Sequence, residues 1–386
     1  MARLEIYGAF SYNTKGFGSN TDAEAGGRSC RRRLLMNWIR KEIADLAAYV
    51  PGRQPSGPIV KLNANENPYP PAPGVQQALA RLDAEALRLY PNATADGLRE
   101  KAAAVFGVAR EEVIAGNGSD DILNMIVRAF LDPGERVAVT DPTYTLYETL
   151  AAIQGAQVQV HPLTPAYELP ETIIGAAVKV TFLANPNAQT GTLFPLAALR
   201  RVCGAAAGIV VIDEAYAEFA GVTAVGLIRD YANVLVTRTL SKSHALAGMR
   251  VGFGIGPAAL IAALFKVKDS YNVNAASQRA AIAALDDPAH TRAIVAEIVA
   301  TREWFAGELC ARQWRVTPSA ANFLLAAPPA GAAAWWLAAL ERAGFLVRHF
   351  ATPRLRDQVR ISMGTRAQMQ ALLTAIDAGA ARAVTE

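Results

Sequence analysis

Short apolar runs recur along the middle of the chain, and between them the apolar positions switch to a spacing of three or four. The runs at 113–115, 136–139, 157–160, 179–183, 208–212, 234–236 and 251–255 predict seven buried strands, because a strand covered on both faces reads as a continuous apolar stretch. Helical spacing appears between most of them, near 121–131, 143–154, 195–206 and 257–267. Upstream, Ile39, Ile43, Leu46 and Ala47 recur at helical spacing before a Pro-Gly turn at 51–52, and helices are expected at 75–89 and 97–106. A long helix runs from about Pro288 through Leu309; strands near 322–326, 345–348 and 358–361 then alternate with helices at 332–343 and 366–379. This alternation argues an α/β fold. A large domain over 63–285 carries a mostly parallel seven-stranded sheet between helices, and 36–62 combines with 286–386 in a smaller α+β domain.

Composition narrows the function classes. A chain of 386 residues that is 52% hydrophobic can bury a large core. Its net charge of +4 is small, and its basic residues are dispersed except at Arg28 to Arg33. Nucleic acid is therefore not the expected partner. Three widely separated cysteines and four histidines give no metal-ligand spacing and no disulfide framework, which fits a reducing, cytoplasmic setting. No apolar run reaches the ~18 residues needed to span a membrane. Residues 1–35, rich in Gly, Ser and Asn, are expected to be a disordered or artefactual extension with no part in catalysis, and Met36 is a candidate start. The alternative is an Arg- and Ser-rich presequence, against which Asp22 and Glu24 count.

The chemistry gathers at strand ends. Lys242 lies in the run Arg238-Thr-Leu-Ser-Lys-Ser-His-Ala-Leu-Ala-Gly-Met-Arg250, directly after an apolar strand. That places Ser241 and Lys242 in the loop at the strand's C-terminal end, with Arg250 eight residues further on. A second strand ends in Asp213-Glu-Ala-Tyr216. Taken singly, each motif has an ordinary structural explanation: a solvated loop lysine, a helix start, a surface arginine. Taken in order, they match what pyridoxal 5'-phosphate (PLP) requires, namely an amine to link to, an acid for the pyridinium nitrogen and an arginine for the phosphate. Between a strand and a helix, Gly116-Asn-Gly-Ser-Asp-Asp121 reads either as a capped turn or as a phosphate cradle of backbone amides at a helix N-terminus. Gly248 and Gly252, flanking Arg250, suggest close backbone approach.

With Leu62-Asn-Ala-Asn-Glu-Asn-Pro-Tyr69, Asn185-Pro-Asn187 before Thr190-Gly191, and Val359-Arg-Ile-Ser-Met-Gly364, these segments form an ordered set. Over roughly residues 36–380 the chain resembles the fold-type I PLP-dependent aminotransferases, and among them most closely the histidinol-phosphate branch. The resemblance implies that Lys242 is both the cofactor linkage and the proton carrier. Gly118, Ser119, Asp120, Ser241 and Arg250 would surround the cofactor phosphate, Tyr144 would stack on the ring, and Asp213 would face its nitrogen. Tyr216 would hydrogen-bond the phenolic oxygen. Tyr49, Arg348 and Arg360 would bind an amino donor and a 2-oxo acid acceptor, and Tyr69 would reach the neighbouring site of a homodimer. The chain departs from the family at one point. Where the family has Asn-Pro-Asn-Asn-Pro-Thr-Gly, this chain has Ala188 and Gln189, which removes an amide donor to the phenolic oxygen. Either Asn187 replaces it or Tyr216 acts alone. An aromatic or broad-range aminotransferase and a threonine-phosphate decarboxylase share the scaffold. An NAD-dependent dehydrogenase would need a third glycine where Asp121 stands, and a binding protein without catalysis would be expected to have lost Lys242.

Overall fold

The computed structural model describes residues 38–44, 46, 54, 57–330 and 332–383. The extension at 1–35 and Tyr49 lie outside them. The chain divides into two compact units, 1–46 and 47–386. Of the first, the described residues include one short helix, Lys41–Ala44, within the stretch expected to be helical.

The second unit opens with β1 (Val60–Lys61), a short strand with no counterpart among the sequence expectations. The next seven strands follow the expected order: β2 (Val113–Gly116), β3 (Arg136–Asp141), β4 (Gln157–Pro162), β5 (Val180–Ala184), β6 (Ile209–Asp213), β7 (Val234–Thr239) and β8 (Gly252–Ile255). They form one sheet in the order β2-β8-β7-β6-β5-β3-β4. Only β8 runs antiparallel to its neighbours.

Alternate residues of the same strand go to different cores. Val113, Val210, Ile212, Val234 and Val236 join one apolar cluster. Ile114, Val211 and Leu235 join another on the opposite face. Side chains in a strand alternate between faces, so two clusters drawn from the same strands mean that helices cover both. This is the physical reason the strands read as unbroken apolar runs.

The C-terminal strands β9 (Arg315–Thr317), β10 (Phe323–Ala327), β11 (Phe345–Leu346), β12 (Arg348–His349) and β13 (Val359–Ser362) follow the long helix Pro288–Ala311. Four of them form an antiparallel sheet ordered β12-β13-β10-β9, while β11 pairs in parallel with β1. A third cluster packs here, around Phe305, Phe323, Trp336 and Leu372.

Two helix expectations need correction, and one helix was not expected. The stretch 75–89 is two helices, Pro73–Ala80 and Ala84–Arg88, because Asp83 caps the second by accepting the Ala86 N–H. The helix expected from Asp121 already begins at Ser119. The helix Ala275–Leu285 has no counterpart among the expectations, because its buried face is largely alanine (Ala280, Ala281, Ala284) and gives no strong apolar period. Among the described residues no helix is long and apolar enough to cross a membrane.

Candidate active site

The parallel strands of the large sheet deliver their C-terminal ends to one cavity of about 210 Å³. Its lining includes Ser119, Asp120, Tyr144, Asp213, Tyr216, Ser241, Lys242, Arg250, Arg348 and Arg360. Residues separated by up to 297 positions, Asn63 and Arg360, thus meet, as the fold class places ligands at the carboxyl ends of strands.

The anion-binding corner is built by close approach. Arg250 adopts a left-handed backbone, φ 52°. Its guanidinium donates to Ser241 Oγ at 3.3 Å and to Asp120 Oδ2 at 3.2 Å. Gly118, at φ 85°, admits this side chain: a Cβ there would stand 2.6 Å from the Arg250 Nη2. A Cβ on Gly252 would overlap the Ser119 backbone nitrogen. Gly248, by contrast, faces open space, so the close approach expected of it is absent. Tyr144 is held by its hydroxyl, which donates to Asp120 Oδ1 at 3.2 Å.

Asp213 ends β6 with both carboxylate oxygens engaged. Tyr147 Oη donates to Oδ2 at 2.7 Å and Thr237 Oγ1 to Oδ1 at 2.8 Å. Burial pushes this carboxyl above its ordinary value, and the two hydroxyl donors oppose the rise. Tyr147, fully buried and stacked on Phe182 with centroids 4.9 Å apart, has no counterpart in the sequence reading. The next residue, Glu214, faces the other way. Its carboxylate takes the Arg238 guanidinium at 2.7 Å, the Thr223 hydroxyl at 2.7 Å and the Ala224 N–H.

Lys242 donates to the Ala64 carbonyl at 3.1 Å. Burial first, then Arg360 and Arg250, pull its amine down to about 8, against the opposing pull of Glu66 and Asp120. The segment 63–67 lies beside this loop, and Asn67 Nδ2 donates to the Lys242 carbonyl at 2.9 Å.

The facing wall comes from β12 and β13. Arg348 and Arg360 are register partners, so their side chains lie side by side on one face. Phe350 sits between them, 5.4 Å from one guanidinium carbon and 5.2 Å from the other. Arg360 also donates to the Ala188 carbonyl at 2.9 Å.

Asn187 is the clear correction. It is fully buried, donates to the Pro142 carbonyl at 2.9 Å, and accepts the backbone N–H groups of Gln189 and Thr190. One amide hydrogen and the amide oxygen shape the loop, and Ala188 and Gln189, not Asn187, line the cavity. Tyr69 does not line the cavity of its own chain, whereas Asn65 and Phe350, unassigned from sequence, do.

The family model for aminotransferase class I and II matches residues 57–376. A histidinol-phosphate aminotransferase of Geotalea uraniireducens is 45% identical over 343 residues, covering 88% of this chain and 98% of its own. A solved histidinol-phosphate aminotransferase from Sinorhizobium meliloti superposes with a TM-score of 0.79 at 24% identity, over 87% of this chain and 96% of that one. An L-threonine-O-3-phosphate decarboxylase from Porphyromonas gingivalis gives 0.72 at 22% identity, over 83% of this chain and 99% of that one, so the fold is common to both reactions. Identity, coverage and the ordered motifs agree: the chain belongs to the class I and II aminotransferases and, within them, to the histidinol-phosphate aminotransferases.

Proposed function

We propose that the protein transfers the amino group of L-histidinol phosphate to 2-oxoglutarate with pyridoxal 5'-phosphate as cofactor. The observation that carries this reading is that one cavity holds two cationic corners with a lysine and a buried acid between them. The residues fit the cofactor on their own chemistry. Ser119, Ser241 and Arg250 make an anion cradle whose close packing needs glycine at 118 and 252, and Asp213 offers a buried carboxylate to a cationic ring nitrogen. When bound, PLP supplies an electron-withdrawing ring that makes the substrate's Cα proton labile. Asp213 would hold the ring nitrogen in its protonated form, and Tyr144 would supply an aromatic face for the ring. Lys242, with an amine lowered to about 8, can take and return a proton near neutral pH, which is what a general acid–base requires.

Arg348 and Arg360 together suit a phosphate in one half-reaction and a carboxylate in the other, since guanidinium groups grip both bidentately. Residues 63–285 act as a large domain and 286–386 as the body of a small one, and the cavity takes Asp213 and Lys242 from the first and Arg348 and Arg360 from the second. The active form is a cytoplasmic homodimer, and Tyr69 serves the partner's cavity. The exposed patch of Leu87, Leu89 and Tyr90, with Tyr90 stacked on Tyr271 at 4.3 Å, is the kind of apolar surface that a second copy covers.

The purified protein should show the visible absorption of a linked pyridoxal chromophore and convert histidinol phosphate faster than phenylalanine with 2-oxoglutarate. A colourless protein that gains no colour with PLP refutes the cofactor. Equal rates on the two donors favour a broad-range aminotransferase, and carbon dioxide release from phosphothreonine favours the decarboxylase.

A further inference from the structure

Position 188 carries no amide, and Asn187 is committed elsewhere. Of the two groups that the resemblance directs at the cofactor's phenolic oxygen, only Tyr216 remains. A phenol can donate or accept, and its single proton decides which it does towards the cavity.

Asn65 settles where that proton goes. Its Nδ2 donates to Tyr216 Oη at 2.9 Å, so the phenol acts as acceptor on that side. The orientation of the Asn65 amide is fixed in turn by Ser362. The serine Oγ accepts the Asn65 backbone N–H at 2.9 Å and gives its one proton to Asn65 Oδ1 at 2.8 Å. Flipping the amide would direct a third hydrogen at that network and leave the serine proton without its acceptor, a costly outcome where both residues are only 2% exposed. The Asn65 backbone, at φ 56°, sits in the left-handed region that asparagine tolerates better than most residues. Its carbonyl is pinned by Asn322 Nδ2 at 3.0 Å. Among the described residues Tyr216 Oη has no hydrogen-bond acceptor for its own proton, and Tyr216 lines the cavity.

We propose that Asn65, locked by Ser362, is a positioning residue that makes Tyr216 an obligate hydrogen-bond donor towards the cofactor's phenolic oxygen, offsetting the amide missing at position 188. This inference rests on the reading of the cavity as a PLP site. A donor to the phenolic oxygen stabilises its anionic form, so losing the donor raises the pH at which the bound chromophore changes colour.

The test is a pH titration of the visible absorption of the holoenzyme in a four-protein cycle: wild type, Asn65→Asp, Tyr216→Phe and the double variant. Aspartate is isosteric but accepts the phenol's proton, turning it away from the cavity. It also adds a negative charge, which the Phe background measures by itself. The other charged groups facing the cavity, Asp120, Asp213, Lys242, Arg250, Arg348 and Arg360, are common to all four proteins and cancel in the cycle. The midpoint should rise about one unit more in the Tyr background than in the Phe background, the scale of one hydrogen bond to a charged group. Equal rises overturn the proposal. Should Asn65→Asp fail to fold, Ser362→Ala unlocks the amide without adding charge, and a smaller rise confined to the Tyr background is expected. A shift equal in both backgrounds again overturns the proposal. A wild-type protein with no visible chromophore refutes the cofactor reading itself, and the relay falls with it.

Discussion

On the wall supplied by the seven-stranded sheet, the groups that face the cavity are tied to protein neighbours. Asp213 accepts two buried hydroxyls, Arg250 reaches Ser241 and Asp120, and Tyr144 is tethered to Asp120. On the wall supplied by the four-stranded sheet, Arg348 and Arg360 flank the ring of Phe350, and β12, which carries Arg348, is only two residues long. The first wall takes its shape from folding and can be ready before any ligand arrives. On this second wall Arg360 is tied to the Ala188 and Asn63 carbonyls, while Arg348, on the short strand, is positioned by a cation–π contact worth roughly 0.5–2 kcal/mol and so more loosely. Changes on the first wall should therefore strike the chemical step, and changes on the second should strike the choice of substrate.

The largest effect expected is that of Lys242→Ala. It removes the group that moves the proton, and turnover should fall by about 10⁴-fold, the upper range for general acid–base groups. Cofactor should still bind through the anion cradle, with altered colour. Near-wild-type transamination by this variant would dissociate Lys242 from the chemistry.

Next is Asp213→Asn, which keeps the shape of the side chain and removes the charge. A kcat loss of about 10²–10³-fold with KM largely preserved is expected, the scale seen when a single electrostatic stabiliser is removed. A variant whose only defect is a raised KM would move Asp213 from the first wall's role to the second's.

Arg348→Ala sharpens the comparison from the other side. A charge-assisted contact is worth roughly 1.5–3 kcal/mol, so kcat/KM for histidinol phosphate should fall about tenfold to a hundredfold. An unphosphorylated aromatic donor, whose carboxylate leans on Arg360, should change far less. Equal losses on both donors would remove the reason to assign a phosphorylated substrate.

The smallest effect concerns pH. Only the neutral amine of Lys242 can attack an aldehyde, and the group titrates near 8. Recombination of the apoprotein with PLP should therefore slow as pH falls through about 8 and level off above it. A profile that keeps climbing towards the ordinary lysine range near 10.4 would mean that the amine is not depressed.

Much of this was legible in the sequence, and what was not has identifiable causes. The inner strands of the large sheet could be read because burial on both faces leaves apolar runs, and the edge strand β4, half-exposed, by the alternation Gln157-Val-Gln-Val160. Their spatial order could not, since β8 returns antiparallel between β2 and β7 and nothing local records that choice. Lys242, Asp213 and Arg250 stood out because their roles need fixed residue types at strand ends. Asn187 stayed open because an asparagine can serve a ligand or its own loop, and only the partners around it decide. Tyr147 and Asn65 act through partners 66 and 151 positions away, a relation that no local pattern carries. Helix 275–285 was hidden by its alanine face.

The neighbouring acids Asp213 and Glu214 have a consequence for how the chain can change. Successive strand residues face opposite sides, so one carboxylate reaches the cavity while the other is neutralised by Arg238 beneath the sheet. Losing or gaining a single residue within β6 would exchange them: a glutamate would enter the cavity, and an aspartate too short for its partners would be stranded below. Such indels would be purged from β6 even where every point substitution nearby is tolerated. The length of this strand should therefore be more strictly inherited than the identity of its apolar residues.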